Sequence, residues 1–219
     1  TFPSYGKLSG RTAEMANDAV SRIDENEKKR NRGDFCLWKF SKEGEPTWAS
    51  PWAAGRPGWH IEDTAITQKY FGAQYEIHGG AIDLMFPHHE AEIAQQEAAS
   101  GLIPFVRFWL HAGFLQTKDE KMSKSLGNFL TLAEALERYT PETLRFYFLS
   151  AHYRSPLDFM AETIDQAEAA VTRLGEFRAK LVEAAKNTEI VADAEHVKIL
   201  ETINGHFIND MDDDFNTPK

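Results

Sequence analysis

Cysteine is almost absent from this sequence of 219 residues, whose single cysteine is Cys36. One thiol excludes an internal disulfide and favours a reducing compartment, so we expect a cytoplasmic protein. No apolar run approaches the roughly 18 residues of a membrane span, and no signal-peptide pattern opens the chain, so we expect no membrane partner. Because Cys36 lies in the apolar run FCLWKF, we expect its thiol to be packed in the core.

Basic residues are also in short supply, with 24 Lys and Arg against 34 Asp and Glu, which gives a net charge of −10. This balance argues mildly against a nucleic-acid partner, because phosphate binding favours a basic surface. The charge is nevertheless segregated: residues 22–32 carry five basic side chains, whereas residues 187–214 carry eight acidic ones and one lysine. The sequence is therefore compatible with a local basic surface.

The hydrophobic pattern predicts an α/β region up to about residue 130 and a helical region after it. We expect strands over 35–40 and 74–80 and within 106–117, and a long loop rich in Gly, Pro and Trp over 41–59. We expect helices over 11–18, 60–71, from Pro87 onward, within 131–153, over 160–186 and over 193–209. The helix over 160–186 is amphipathic, and its apolar face consists of Ile164, Ala167, Val171, Leu174, Phe177 and Leu181.

Both ends of the sequence suggest a part of a longer chain. The first residue, Thr1, is not a methionine, and no helix or strand signal precedes residue 11. The last residues, MDDDFNTPK, contain a proline in a context that more naturally opens a helix than ends a protein.

Histidines and carboxylates concentrate in residues 78–96, which contain three of the eight histidines around a Gly-Gly pair. His88 and Glu92 are four residues apart on the helix predicted from Pro87, so they lie on one face. This spacing suits two metal ligands, although it is equally compatible with a solvated helix face. The zinc-protease pattern His-Glu-x-x-His fails, because Ile93 stands where its second histidine is required.

Three phrases are more specific in combination: GRPGWHIE (55–62), HGGAIDLMFPHHEAEIAQ (78–95) and KMSKSLGNF (121–129). Together they closely resemble the cysteinyl-tRNA synthetases, which are class I aminoacyl-tRNA synthetases. The resemblance continues through YGKLSG, DFCLWKFSKEGEP, AHYRSPLDF and MDDDFNTP, so it covers essentially the whole chain. KMSKS alone indicates only a class I synthetase, and the histidine-rich phrase selects the cysteine family.

The resemblance implies an α/β fold in three parts. Residues 1–130 would form part of a Rossmann-like nucleotide-binding domain of class I synthetases. Residues 131–159 would form an α-helical region that contacts the tRNA stem, and residues 160–219 the start of a helical bundle. By default Arg145 and Arg154 are helix-surface arginines, and contacts to the tRNA backbone are the alternative.

The resemblance also implies a zinc ion that binds the thiol of the substrate cysteine. In the family, two cysteines, a histidine and a glutamate hold this ion, and the last two correspond to His88 and Glu92. One cysteine corresponds to no residue of these 219, and the other falls at Asp63. A carboxylate oxygen is an acceptable zinc ligand, although a harder one than sulfur. Two possibilities stay open for Asp63: an oxygen ligand, or a site without metal.

The family pattern assigns three further residues to the cysteine pocket. Asp83 would receive the substrate ammonium group, with helix capping as the alternative. The indole of Trp59 would form a wall of the pocket, with a plain core position as the alternative, and His60 would lie near it. His78, Gly79 and Gly80 resemble the stretch that lies under ATP, where glycine allows a close approach to the backbone.

The KMSKS loop supplies Lys121 and Lys124, of which Lys124 is the stronger candidate for an ATP phosphate contact. Positive charge there would stabilise the phosphate oxygens as L-cysteine attacks ATP. Taken alone, two lysines in a polar loop are solvated surface. The family reaction consumes ATP with Mg²⁺, forms cysteinyl-adenylate and transfers cysteine to tRNA(Cys).

Three functional hypotheses follow from the resemblance. The first is a cysteine–tRNA ligase, whose HIGH motif is absent from these 219 residues, so we expect the isolated chain to be inactive. The second is a ligase of the same fold that joins cysteine to an amino-sugar. The third is a non-catalytic paralogue that serves as a binding protein.

Overall fold

The computed structural model describes residues 2–11, 29–31, 33–117, 120–121, 130–186 and 193–218, with only the backbone at 120–121. The chain divides into two compact units, residues 1–111 and 112–219. The helix predicted over 11–18 lies outside the described residues, apart from residue 11. The three-part division predicted above has functional boundaries at residues 130 and 159, and it stays a prediction.

Among its described residues, the first unit combines short strands with two α-helices, and the pattern predicts both helices. Strand β1 pairs antiparallel with β2, with Trp38 opposite Pro57 and Phe40 opposite Gly55. Strand β3 pairs with β4, and the core between them and the second helix contains Tyr75, Ile93, Phe105 and Val106. The elements are β1 (Trp38–Phe40), β2 (Gly55–Pro57), α1 (Trp59–Phe71), β3 (Tyr75–Ala81), a 3₁₀ turn (Ile82–Leu84), a π-helical turn (Met85–His89), α2 (Glu90–Ser100) and β4 (Val106–Ala112).

Two predictions in this unit need correction. The loop predicted over 41–59 contains strand β2, which the local richness in Gly and Pro concealed. Cys36 is exposed rather than packed in a core, and its Sγ lies 3.2 Å from the carbonyl oxygen of Trp38. A ribbon of two three-residue strands offers little surface for burying a neighbouring thiol.

The second unit contains a small sheet and four helices within the described residues. Strand β5 lies at the centre of the sheet, antiparallel to β6 and parallel to β7. The core of the second unit contains Ala135, Leu144, Tyr147, Ile164 and Ala167. The elements are β5 (Leu115–Thr117), β6 (Glu120–Lys121), α3 (Leu132–Leu136), α4 (Pro141–Leu149), β7 (Leu157–Asp158), α5 (Ala161–Lys186) and α6 (Ala194–Asp212).

Local chemistry explains where these helices begin. Thr131 and Glu134 form a reciprocal capping box at the start of α3. The side chain of Thr140 caps α4, whose first residue is Pro141. Asp193 caps α6 by accepting hydrogen bonds from two backbone amides. Helix starts could therefore be predicted to within a residue or two.

The apolar face predicted for α5 is only partly covered. Ile164 and Ala167 are buried, whereas Leu174, Phe177 and Leu181 are each more than half exposed. Periodicity identifies the face but not its partner, and the described residues cover only its first turns. No described helix is long and apolar enough to span a membrane.

Candidate metal and substrate site

Three potential metal ligands from α1 and the start of α2 converge in the first unit. The Nε2 atom of His88 lies 2.7 Å from Oδ2 of Asp63 and 3.0 Å from Oε1 of Glu92. One ligand atom from each residue lies within 4.8 Å of the other two. The structure therefore brings together all three residues predicted as metal ligands.

The backbone before α2 explains how His88 and Glu92 reach one face. Phe86 is extended, with φ −138° and ψ 132°, because the proline that follows disfavours the helical conformation at the preceding residue. The helical path thus begins at Pro87, as predicted, and carries His88 and Glu92 four residues apart. Helix α1 is held against α2 by a hydrogen bond of 3.3 Å from the amide of Gln95 to the hydroxyl of Thr64.

The carboxylate of Glu92 is the strongest evidence that the group suits a cation. Glu92 is fully buried, and among the described residues no group donates a well-directed hydrogen bond to either of its oxygens. Its nearest potential cation is the imidazole of His88, whose Nε2 lies 3.0 Å from Oε1. A buried carboxylate that lacks hydrogen bonds is costly, so such groups are usually paired with a cation or coordinate a metal. Asp63, whose side chain is 40% exposed, leaves one side of the group open to solvent.

Electrostatics favour positive charge at His88 and oppose it at the two neighbouring histidines. Burial acts to lower the pKa of His88, but the nearby carboxylates of Glu92 and Asp63 outweigh it, so the pKa of His88 is raised. Burial lowers the pKa of His78, although Glu92 opposes the change. Burial, reinforced by repulsion from neighbouring histidines, lowers the pKa of His89 to about 3, so this imidazole is neutral.

Trp59 and His60 line the same group. The indole of Trp59 stacks on the ring of His88, with 4.3 Å between ring centroids and 25° between planes. Because Trp59 is 59% exposed, the alternative of a plain core position is wrong. The Nδ1 atoms of His60 and His88 are 2.5 Å apart, so one of these rings donates a hydrogen bond to the other.

His78, Gly79 and Gly80 lie in β3 beside the metal-ligand group. The Nδ1 atom of His78 contacts the hydroxyl of Tyr75 and lies 3.7 Å from Oε2 of Glu92. Gly79 is exposed and has open space at its Cβ position, where the nearest atom is 3.7 Å away. A Cβ at Gly80 would instead lie 2.8 Å from the ring of His89, so Gly80 serves packing. Sequence reasoning treated the two glycines alike and missed this difference.

Asp83 lies exposed in the 3₁₀ turn that follows β3. The residues that precede the next two helical segments are Leu84 and His89, and neither segment has a side-chain cap. The role of Asp83 in binding the substrate ammonium and its alternative role in helix capping both stay predictions.

The predicted lysines of the ATP site fall at the edge of the described chain. Lys121 ends strand β6, where only the backbone is described, and Lys124 lies outside the described residues. Both assignments stay predictions.

Arg154 is a surface arginine, but it lies in a turn rather than on a helix and is paired with a carboxylate. Its contact to the tRNA backbone stays a prediction. Its Nε lies 2.5 Å from Oδ2 of Asp214, and its Nη2 lies 3.1 Å from Oδ1 of the same carboxylate. Tyr153 donates a further hydrogen bond of 2.8 Å to Asp214. The guanidinium therefore ties the segment AHYRSPLDF to MDDDFNTP within the second unit. Arg145 lies exposed on α4, so its predicted role stays open.

Sequence reasoning missed two buried residues that support the site. His111 on β4 shares a hydrogen bond of 2.8 Å with His89. Alternation within VRFWLHA groups His111 with Arg107 rather than with the apolar Val106 and Phe108, so the pattern does not predict its burial. Glu90 is fully buried and receives four hydrogen bonds from residues 6–9. No local signal reveals it, because its partners are more than 80 residues away in sequence.

Comparison with known proteins identifies relatives of the chain. Curated cysteine–tRNA ligases of Pelobacter propionicus, Trichlorobacter lovleyi and Syntrophobacter fumaroxidans are 50%, 51% and 52% identical to the chain. Each of the three alignments covers 100% of the chain and 46% of the relative. The chain therefore spans about half the length of the curated relatives it matches.

A solved structure is similar in fold. The LeuRS-tRNA-LeuAMS ternary complex of Agrobacterium radiobacter matches with a TM-score of 0.60 and 14% identity, over 78% of this chain and 27% of that one. The fold is thus that of a class I synthetase domain with α/β content. The sequence model of the class I (C) tRNA synthetase catalytic domain matches residues 1–169. On this match, the chain belongs to the family of class I (C) tRNA synthetase catalytic domains.

Proposed function

We propose that this chain is the part of a cysteine–tRNA ligase that selects L-cysteine through a zinc ion held by Asp63, His88 and Glu92. The observation that carries the proposal is the convergence of these three side chains, in which neither oxygen of the buried Glu92 carboxylate has a hydrogen-bond partner among the described residues. The relatives named cysteine–tRNA ligase support the same substrate. A fourth zinc ligand corresponds, by the family resemblance, to a cysteine outside these 219 residues.

The donor set fits zinc. One imidazole nitrogen and two carboxylate oxygens are ordinary zinc ligands, and a catalytic site keeps a further position for substrate. When bound, zinc supplies a Lewis acid that prefers a thiolate to the harder hydroxyl of serine. A hydrophobic pocket separates near-isosteres by only about 1–3 kcal/mol, so recognition of sulfur removes the need for an editing site.

The protein groups around the ligands hold them in place. Ligation through Nε2 requires a neutral His88 with its proton on Nδ1, and this N–H can be donated to Nδ1 of His60. Trp59, stacked on His88, closes one side of the group and offers an apolar surface to the substrate methylene. Asp83 would receive the substrate ammonium group and so orient the carboxylate toward ATP.

The reaction that follows is adenylate formation. The cysteine carboxylate attacks the α-phosphorus of Mg²⁺-bound ATP, pyrophosphate leaves, and the cysteinyl group then passes to tRNA(Cys). Lys124, with Lys121, would neutralise the charge that grows on the phosphate oxygens. Gly79, which has open space above its backbone, suits a close approach of the nucleotide, together with His78. Residues 131–159 and 160–219 would contact the tRNA.

The experiment is ATP–pyrophosphate exchange by the full-length protein, driven by L-cysteine or by L-serine. We expect exchange with cysteine only, and loss of both exchange and bound zinc in His88→Ala. His196→Ala, which removes an exposed imidazole on α6, is the matched control and should behave as the unsubstituted protein. Less than about a tenth of an equivalent of zinc after purification without chelator would refute the zinc site.

The cysteine acceptor needs a separate comparison. Offered tRNA or glucosaminyl-inositol, the full-length protein should transfer cysteine to tRNA. Transfer to the amino-sugar instead would identify the second hypothesis, and the absence of any cysteine-dependent exchange would identify the third.

A further inference from the structure

We propose that Glu90 is a positioning residue for the candidate metal centre, and that it acts by fixing the start of α2 to the segment Gly6–Ser9. This inference rests on the proposed function, because it concerns how His88 and Glu92 are held. Glu90 touches neither substrate nor metal in this account. It holds the backbone from which both ligands project.

The carboxylate of Glu90 is fully buried and saturated with donors. Its Oε1 accepts hydrogen bonds from the backbone N–H of Leu8 at 2.7 Å, the N–H of Ser9 at 2.6 Å and the hydroxyl of Ser9 at 3.0 Å. Its Oε2 accepts a hydrogen bond of 3.0 Å from the N–H of Gly6. Four hydrogen bonds to one carboxylate make a directional connection between α2 and this segment.

Glu90 lies between the two ligands on the helix, so its hydrogen bonds affect the position of both. Glu90 lies two residues after His88 and two before Glu92, and helical residues two apart point to different sides. The ligands therefore face α1, while Glu90 faces the segment 6–9. A shift of Glu90 would move both ligands together, because all three belong to one turn of helix.

The turn that carries the ligands has few restraints of its own. The extended Phe86 interrupts the helical hydrogen bonding immediately before it, and the first N–H groups of a helix lack partners within the helix. Neither Leu84 nor His89 supplies a side-chain cap. The anchor through Glu90 provides a restraint from outside the helix.

The segment that receives Glu90 is itself held by a tight turn and by packing contacts. Gly6 has φ +96°, and a Cβ there would lie 1.7 Å from the carbonyl oxygen of Arg11, so glycine is required for this turn. Phe2 and Leu8 pack against the core of the first unit. Tyr5 contacts the ring of Phe86, with 6.2 Å between centroids.

Glu97 provides a matched control on the same helix. It is also buried, and it accepts hydrogen bonds from Lys7 and from the backbone N–H of Phe105. It lies five residues beyond Glu92, about 7.5 Å further along the axis at 1.5 Å per residue. Glu90→Gln and Glu97→Gln make the same chemical change. Both side chains contact the segment Gly6–Ser9, Glu97 through Lys7, but only Glu90 lies in the turn of the ligands.

The experiment measures the zinc affinity of the full-length protein by competition with a chromophoric chelator. We expect Glu90→Gln to weaken zinc binding by about tenfold or more, as the loss of outer groups at metal sites does. Its KM for L-cysteine should rise, while its KM for ATP stays within about twofold. We expect Glu97→Gln to keep both the zinc affinity and the KM for cysteine within about twofold, by the same reasoning. Ser9→Ala, which removes one of the four donors, keeps the test valid if Glu90→Gln does not fold, and it should weaken zinc binding by about twofold to fivefold.

The outcomes separate the two proposals. If the unsubstituted protein binds no zinc, the proposed function fails and this inference fails with it. If the unsubstituted protein binds zinc, equal zinc affinities for Glu90→Gln, Ser9→Ala and the unsubstituted protein overturn the inference alone. Equal losses of zinc affinity in Glu90→Gln and Glu97→Gln also overturn it, because they indicate general destabilisation.

Discussion

Substitution of Gly80 by alanine should destabilise the first unit, whereas the same substitution at Gly79 should not. A Cβ at Gly80 would lie 2.8 Å from Cε1 of His89 and 3.2 Å from Cδ1 of Leu84. Ordinary van der Waals contact begins at 3.4 Å, so the imidazole would have to move by about 0.6 Å. The ring of His89 is 1% exposed and is held by a hydrogen bond of 2.8 Å to His111. Overpacking of this kind costs about 1–3 kcal/mol.

Gly79→Ala provides the control, because its expected change in stability has the opposite sign. The nearest atom to its Cβ position is the carbonyl oxygen of Leu110 at 3.7 Å, which is an ordinary contact. Replacing a glycine inside a strand by alanine is favourable by about 0.5–1 kcal/mol when the space is free. Gly79→Ala should therefore keep or slightly raise stability. If ATP passes over this backbone as proposed, the substitution should raise the KM for ATP.

The assay is amide hydrogen exchange of the full-length protein, followed in peptides from β3 and α2. A cost of 1–3 kcal/mol corresponds to a loss of protection of about 5- to 150-fold in Gly80→Ala. Gly79→Ala should show no loss of protection. Equal protection in the two variants would refute the reasoning, because it would mean that the ring of His89 does not limit the space at Gly80.

Three other predictions concern different parts of the chain. Lys124→Ala should slow adenylate formation severely while sparing cysteine binding in the full-length protein, and an equal loss of both would refute the assignment of Lys124. Asp214→Asn should lower stability by about 1 kcal/mol or less, since the pair with Arg154 is exposed. Because Arg154 lowers the pKa of Asp214 to about 2, this contribution to stability should vanish as pH falls from about 4 to 2. A free energy of urea unfolding that does not change in this acid range would contradict the prediction. Burial raises the pKa of Tyr147 to about 12, so stability should fall as pH rises from about 10 toward 12. This fall in stability should be less steep in Tyr147→Phe. Identical slopes of stability against pH in the two proteins would contradict the prediction.

Local sequence signals account for much of the fold. Pro87 predicts the start of the helical path because proline suits the first turn and excludes helix before it. Helix α1 begins at Trp59, one residue before its predicted start, and α5 begins at Ala161. These elements depend on residues within a few positions of each other, so one sequence suffices to predict them.

Tertiary contacts set the limit of prediction. Glu90 has the same local surroundings as a solvated helix residue, yet its partners come from residues 6–9. Cys36 lies in an apolar run and is exposed, because burial depends on what covers a segment rather than on the segment itself. Leu174 and Phe177 belong to a regular apolar stripe that the described residues leave exposed.

The candidate site also contains some features that local sequence predicts and others that depend on tertiary contacts. The spacing of His88 and Glu92 follows from helix geometry, so their shared face could be predicted from sequence. The approach of Asp63 from another helix could not, and it was expected only from the family resemblance. The stacking of Trp59 on His88 is likewise a tertiary contact that no local pattern specifies.

The central claim is that a metal ion at Asp63, His88 and Glu92 binds the sulfur of L-cysteine, and cobalt spectroscopy tests it most directly. With Co²⁺ in place of zinc in the full-length protein, we expect L-cysteine to produce a thiolate-to-cobalt charge-transfer band that L-serine does not produce. His88→Ala should abolish this band. Bound cobalt whose spectrum is unchanged by L-cysteine, or changes equally with L-serine, would contradict the claim.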